Sequence, residues 1–174
     1  MKVKVKRLSS GNILPANIHK GDWIDLYTTS EAVNIEGPQW MLTKKENGVS
    51  KRAVHISNYM IPLGIAMELP KGFEAVVLPR SGLYNKYGVM LANSEGLIDN
   101  AFCGNDDQWF FNAVALRDTT IPAYTRICQF RIQLSQKATF WQKVKWLFSS
   151  KIKFVEVDNL SNNNRGGFGS TGDK

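Results

Sequence analysis

The chain has 174 residues, 43% hydrophobic and 11% aromatic, enough for one domain with a real core. No apolar run approaches the length of a membrane span. The basic N-terminus MKVKVKRLSS lacks the apolar stretch of a secretion signal, and two cysteines, Cys103 and Cys128, cannot make a disulfide framework. The net charge of +7 sits in two short segments, residues 1–7 and 137–153, rather than over a groove with interleaved aromatics, so a nucleic-acid polymer is not the expected partner.

In chain order, MKVKVKR alternates Lys with Val, the period of a half-buried strand. A loop follows from Gly11 to Lys20, then the short strand GDWIDLYT. Its Asp25 is flanked by Trp23, Ile24 and Leu26, so it either faces solvent or is buried against a partner, because an isolated buried carboxylate is costly. Residues 36–52 are polar and irregular, with Gly37, Pro38 and the run Lys44, Lys45, Glu46, and read as a surface loop or hairpin. IPLGIAMEL, bounded by Pro62 and Pro70, reads as one strand, and FEAVVLP follows. YGVMLAN leads into a β-hairpin whose four-residue loop is Asn93–Gly96 and whose return run is Leu97 and Ile98. Asp99 closes that run, either as an Asx-turn former or as a positioned functional group. WFFNAVAL and ICQFRIQL are further strands. Short strands at this spacing predict an all-β sandwich or barrel.

One stretch differs. Over Thr139–Ser150, Phe140, Trp141, Val144, Leu147 and Phe148 share one helical face, while Lys143 and Trp146 fall on the other. A basic amphipathic helix can grip a partner or a membrane surface, but the reading favoured here packs its apolar face on the sandwich or on another subunit. KFVEVDNL returns to a strand. The tail from Ser161, SNNNRGGFGSTGDK, is flexible by composition, yet its glycines, hydroxyls and single Arg165 suit a phosphate group. His19 and His55 are too few and too far apart in sequence to suggest a zinc site, though folding could still bring them together.

Five segments, GDWIDLYT, PRSGLYNKYGV, NSEGLIDNAFCG, RICQFRI and RGGFGSTG, resemble in order the five motifs of the trimeric dUTP diphosphatases, in a bacterial or phage-like form. The resemblance runs from Gly21 to Gly172 and implies a distorted jelly-roll β-sandwich or barrel assembled as a homotrimer. It implies one β domain over residues 1–160, with the helix as an insert at about 139–150, and an arm over 161–174 that closes on the active site. The implied reaction is hydrolysis of dUTP to dUMP and pyrophosphate with Mg²⁺, in the cytoplasm or, for a viral chain, the host cytoplasm.

The same resemblance assigns roles. Asp99 would orient and deprotonate a water for attack on the α-phosphorus and contact the sugar 3′-OH. Arg80, a second catalytic group, would hold the phosphates with Ser81 and Gly82. Asn93 and the main chain of Gly96, Leu97 and Ile98 would read uracil, and Phe102 would pack on the deoxyribose. Gln129 and Arg165 would contact phosphate, Phe168 would stack on the base, and Gly169, Ser170 and Thr171 would close over the phosphates. Asp25 would steady Mg²⁺ through water. Ala101 and Phe102 depart from the family pattern, as does the run Asn105-Asp106-Asp107-Gln108 in place of a single glutamate. Two other readings are weaker: a dCTP deaminase of the same fold, which would need a glutamate beside the base where only Glu95 is on offer, and a trimeric β module binding a protein or polyanion through the basic helix.

Overall fold

The computed structural model describes residues 1–17, 21–46, 49–148, 151–161 and 163–167. Among them the fold is β-rich, with two short helices. The central sheet has five strands: β2 (Ala16–Asn17), β3 (Ile24–Tyr27), β9 (Phe73–Pro79), β11 (Gly96–Ile98) and β14 (Arg126–Leu134), in the order β11-β9-β14-β3-β2. A second sheet sets β1 (Lys2–Arg7) between β15 (Lys153–Glu156) and β8 (Ile65–Glu68), and a third sets β12 (Phe110–Ala115) between β10 (Val89–Leu91) and β7 (Tyr59–Pro62). The short strands β4 (Val33–Ile35) and β13 (Thr119–Ile121) pair with each other, as do β5 (Gln39–Glu46) and β6 (Val49–His55), which make a hairpin of the polar segment.

The sheets enclose one apolar cluster. Alternation delivers it as expected for strands with one buried face: Val3 and Val5 from β1 are fully buried, while Lys2, Lys4 and Lys6 are not. Phe111, Ala113 and Ala115 do the same for β12. Trp109 is fully buried and meets Phe130 edge to face, with ring centroids 5.3 Å apart. Cys103 and Cys128 are buried and form no disulfide; burial pushes the Cys128 thiol up, with the nearby Asp25 charge adding to it, so it stays protonated. No helix among the described residues is long and apolar enough to cross a membrane.

Three local expectations are corrected. IPLGIAMEL is two strands in different sheets, β7 and β8. The break is Gly64, at φ +68°, where an added Cβ would lie 2.3 Å from the Asn12 amide. Asn12 Nδ2 and the Leu8 N–H both donate to the Gly64 carbonyl, which fixes the corner. Second, β10 and β11 do not form a hairpin: β10 pairs with β12 and β11 with β9, so the Asn93–Gly96 turn carries the chain from one sheet to the other. Ser94, at φ 60°, supplies the reversal, and Gly96 lets β11 lie against Val77, which a Cβ would approach to 3.2 Å.

The third correction concerns the helix. It runs Phe140–Phe148 (α2), and its inward face is not the apolar one. Thr139 and Gln142 cap each other, Gln142 Oε1 accepting from the Thr139 N–H at 2.7 Å and Thr139 Oγ1 from the Gln142 N–H at 3.3 Å. Gln142 Nε2 then donates to the Lys71 carbonyl, and Trp146, one turn on, packs on Phe73 at 5.2 Å. That pins the Gln142–Trp146 side to the body. Phe140, Trp141, Leu147 and Phe148 point away from their own chain, 69 to 84% exposed.

Candidate active site

The polar residues singled out in the sequence gather around two separate cavities. The first, about 270 Å³, lies between β11 and the residues that follow it, β12, and the described end of the tail. Asn93, Gly96, Leu97, Ile98, Asp99, Phe102 and Arg165 all line it. Asp99 satisfies both readings of its sequence. Its Oδ1 accepts the Ala101 N–H at 2.8 Å, which is the Asx-turn, while its Oδ2 pairs with Arg165 Nη1. Burial by itself would raise the Asp99 carboxyl, but the Arg165 hydrogen bond, the Ala101 N–H, the Arg165 charge and the Phe102 N–H outweigh it and hold the group below the usual carboxylate range. The Phe102 ring lies half-buried beneath Gly167, where an added Cβ would come within 3.1 Å of it. Two buried polar atoms of lining residues, Trp109 Nε1 and Asn112 Oδ1, make no hydrogen bond. They leave a donor and an acceptor for a ligand or water to satisfy.

The second cavity, about 410 Å³, is lined by Arg80, Gly82, Leu83, Lys86, Tyr87, Pro122, Thr125 and Arg126. Pro79 ends β9, and α1 (Leu83–Tyr87) starts four residues on, so Arg80, Ser81 and Gly82 form an exposed corner between them. Asp25 is only 2% exposed, and its two oxygens hold two guanidinium groups: Oδ1 takes Arg80 Nε and Oδ2 takes Arg126 Nη1, both at 3.2 Å. The solvent-facing alternative for Asp25 is thereby excluded. Gln129 is opposite Asp25 in the β14–β3 register and opposite Leu78 in the β14–β9 register, so it belongs to this cluster.

Asp99 and Arg80 are not brought together within one chain. Ile98 pairs with Ala75, which sets Asp99 beside position 74, whereas Arg80 follows the other end of β9. At about 3.4 Å per residue the two positions are roughly 20 Å apart. Phe168, Gly169, Ser170 and Thr171 lie outside the described residues.

The Mg²⁺ implied by the resemblance does not find a protein-built site. Both Asp25 oxygens already face cationic groups, and no cluster of three or more His, Cys, Asp or Glu among the described residues could hold a metal. Asp25 is thus an anchor for arginines. Sequence reasoning passed over Arg126, although it opens the quoted motif RICQFRI, and gave no role to Asp107, which is buried and accepts the backbone N–H groups of Gly104, Arg165 and Gly166 among others. A pair of acids, Asp106-Asp107, one residue after Gly104 was the available signal for the latter.

The mostly β fold is that of solved dUTPases. The dUTPase of Streptococcus mutans superposes with a TM-score of 0.61 at 17% identity, over 78% of this chain and 98% of that one. A Staphylococcus bacteriophage 80alpha dUTPase matches at 0.57 and 19% identity over 98% of both chains. The dUTPase family profile matches residues 49–172. The SPbeta prophage-derived deoxyuridine 5′-triphosphate nucleotidohydrolase YosS of Bacillus subtilis is 40% identical over the full length of both chains. The Thermobifida fusca deoxyuridine 5′-triphosphate nucleotidohydrolase is 31% identical over 99% of this chain and 79% of its own. The chain belongs to the dUTPase family.

Proposed function

We propose that the chain hydrolyses dUTP to dUMP and pyrophosphate as a homotrimer, each active site joining the Asp99 cavity of one protomer to the Arg80 corner of a neighbour. The observation that carries this is the separation of the two half-sites at opposite ends of β9. One holds a carboxylate and a flat, partly apolar cavity; the other holds two arginines and a lysine; a nucleoside triphosphate needs both. Uracil enters the first cavity against the main chain of Gly96–Ile98, with Asn93 at the turn. The unpaired Trp109 Nε1 and Asn112 Oδ1 support a ligand with both donors and acceptors there. Phe102 packs on the deoxyribose and crowds out a 2′-OH. The neighbour's Arg80, Ser81, Gly82 and Gln129 take the phosphates, with Asp25 and Arg126 keeping the Arg80 guanidinium in place.

Asp99 is the base. Without substrate its carboxylate is ion-paired with Arg165 and therefore ionised, the protonation state a base requires. When the triphosphate arrives, Arg165 transfers to the γ-phosphate. Asp99 then regains basicity as a water comes between its carboxylate and the α-phosphorus. Mg²⁺ belongs with the substrate's phosphates, as is usual for an ion that keeps several waters; a dUTPase of phage phi11 of S. aureus, 16% identical, coordinates a structural Mg(II) ion. The reduced, buried cysteines accord with action in the cytoplasm, or the host cytoplasm for a phage chain. Incubation with dUTP, dTTP, dCTP and UTP, following pyrophosphate and ammonia together, should show pyrophosphate from dUTP and little from the others. Comparable turnover of all four would defeat the specificity assignment, and ammonia from dCTP would favour the deaminase reading, which the exposed Glu95 supports poorly.

A second role is compatible with the first. The outward apolar face of α2 and the lysines flanking it are proposed to meet a protein partner. Replacing Phe140, Trp141, Leu147 and Phe148 together by polar residues should leave dUTP turnover within about twofold of the parent, since such exposed positions carry little folding energy. Loss of the trimer on gel filtration would instead place this face between subunits.

A further inference from the structure

The helix α2 is mounted with its apolar side outward. At about 3.6 residues per turn, Gln142 and Trp146 share one side of it. Both are spent on the body: Gln142 Nε2 donates to the Lys71 carbonyl at 2.9 Å, and the Trp146 ring packs on Phe73. The opposite side carries Phe140, Trp141, Val144, Leu147 and Phe148, and all but the half-buried Val144 are exposed. Phe140 and Trp141 meet edge to face with ring centroids 5.5 Å apart, so they form one aromatic ridge. Lys143 and Lys145 fall on the two flanks, one on each side of the apolar stripe. A surface helix ordinarily turns such a stripe toward its own core.

The charge around this helix is of one sign. No acidic residue occurs between Lys137 and Lys153. β15, which follows α2, lies parallel beside β1 with Lys153 opposite Lys2, and the Met1 ammonium donates to the Lys151 carbonyl at 2.6 Å. The two basic segments of the sequence, one at its start and one near its end, therefore meet in the fold. The acids on the neighbouring strands are already engaged, Glu68 with Lys4 at 3.2 Å and Glu156 with Arg7 at 2.9 Å. Lys2, Lys143, Lys145, Lys151 and Lys153 are all exposed, and none of them has an ion-pair partner among the described residues.

We propose that this face docks an acidic amphipathic segment of another protein, with apolar side chains on the Phe140–Phe148 stripe and carboxylates over Lys143, Lys145 and the lysines of β1 and β15. The proposal rests on the reading of α2 as a partner surface and adds the chemistry of the partner. Charge complementarity selects it. A second copy of this chain, placed face to face across a two-fold axis, would set Lys143 and Lys145 against like charges. A bare polyanion would meet the lysines but leave the apolar stripe in water. An anionic lipid surface offers both chemistries, but a helix of nine residues buries little apolar area among acyl chains, and membrane binding scales with that area. A protein groove also uses the Phe140–Trp141 ridge, since packed aromatic anchors dominate protein contacts.

The test uses the full chain and four probes. They are a helical peptide with Leu and Phe on one side and Glu and Asp flanking them, the same peptide with Gln and Asn for the acids, poly-L-glutamate, and vesicles containing phosphatidylglycerol. The acidic peptide should bind saturably, at least about tenfold tighter than its uncharged version or poly-L-glutamate, because each of those lacks half of the contact. Added salt should weaken it. Lys143→Gln with Lys145→Gln should weaken the acidic peptide at least about fivefold and leave the uncharged one unchanged, a split that damage to the fold would not produce. The variant with polar residues in place of Phe140, Trp141, Leu147 and Phe148 should bind neither peptide.

Absence of saturable binding by the acidic peptide overturns the proposal, and tighter binding of the vesicles than of the peptide overturns it in favour of a lipid surface. Equal binding of the acidic and uncharged peptides, or no effect of the lysine variant, defeats the acidic chemistry while leaving α2 a partner surface. Loss of the trimer in the apolar-face variant defeats the partner-surface reading itself, because the stripe then lies between subunits.

Discussion

Asp99→Asn should reduce kcat for dUTP by at least about 100-fold, the usual lower bound for removing a positioned acid–base group, while a non-hydrolysable dUTP analogue binds with little change. The substitution keeps the shape of the side chain and the Oδ1 acceptor for the Ala101 N–H, so the turn survives. What it removes is the group proposed to take the proton from water. The Arg165 partner is also lost, but on the proposed reading Arg165 gains phosphate when substrate binds, so affinity should not depend on that ion pair. A parallel loss of binding and turnover would make Asp99 a binding residue instead.

The pH dependence follows from the same contacts. The Asp99 carboxyl is held below its ordinary value, so its ionised form, and the pairing with Arg165, persist above the ordinary carboxylate pKa and are lost only as pH falls through the lowered folded value. For the free enzyme the acid limb of kcat/KM should therefore lie below that of an unperturbed aspartate, and in Arg165→Ala it should move upward.

Asp25→Ala should cost about 3 kcal/mol of unfolding free energy, read as a lower denaturant midpoint at unchanged slope. That is the low end for breaking a buried pair. Asp25 is buried between Arg80 and Arg126, but both arginines keep contact with solvent, at 35 and 43% side-chain exposure, and recover part of the loss. Asp25→Asn retains an acceptor and should cost less. Both variants should raise KM for dUTP more than they lower kcat, because they loosen Arg80, the residue proposed to take the phosphates, and leave Asp99 untouched. A specific loss of Mg²⁺ response with stability and KM unchanged would restore Asp25 as a metal residue.

The α2 helix shows that a periodic pattern identifies an apolar face without fixing what that face meets. Its five apolar positions do share a face, but the orientation is set by Gln142 on the Lys71 carbonyl and Trp146 on Phe73, contacts made across a sequence gap of about 70 residues. Likewise the apolar run at 61–69 has no period that reveals a corner; the corner exists because Gly64 adopts a left-handed conformation beside Asn12, far away in sequence.

The sequence by itself determined the strands that alternate into one core, the family, and the identity of the polar groups, because side-chain period and residue chemistry are local properties. Asp99 at the end of a strand, Arg80 after Pro79 and Arg165 in the tail were all legible there. Only the tertiary structure decided which of them meet. Strand register placed Arg80 and Asp99 at opposite ends of β9, burial set Asp25 as the clamp between two arginines, and the arm's path over Gly104 brought it onto Asp107. Those outcomes depend on pairings between segments that are distant in the chain, which no local pattern of residues specifies.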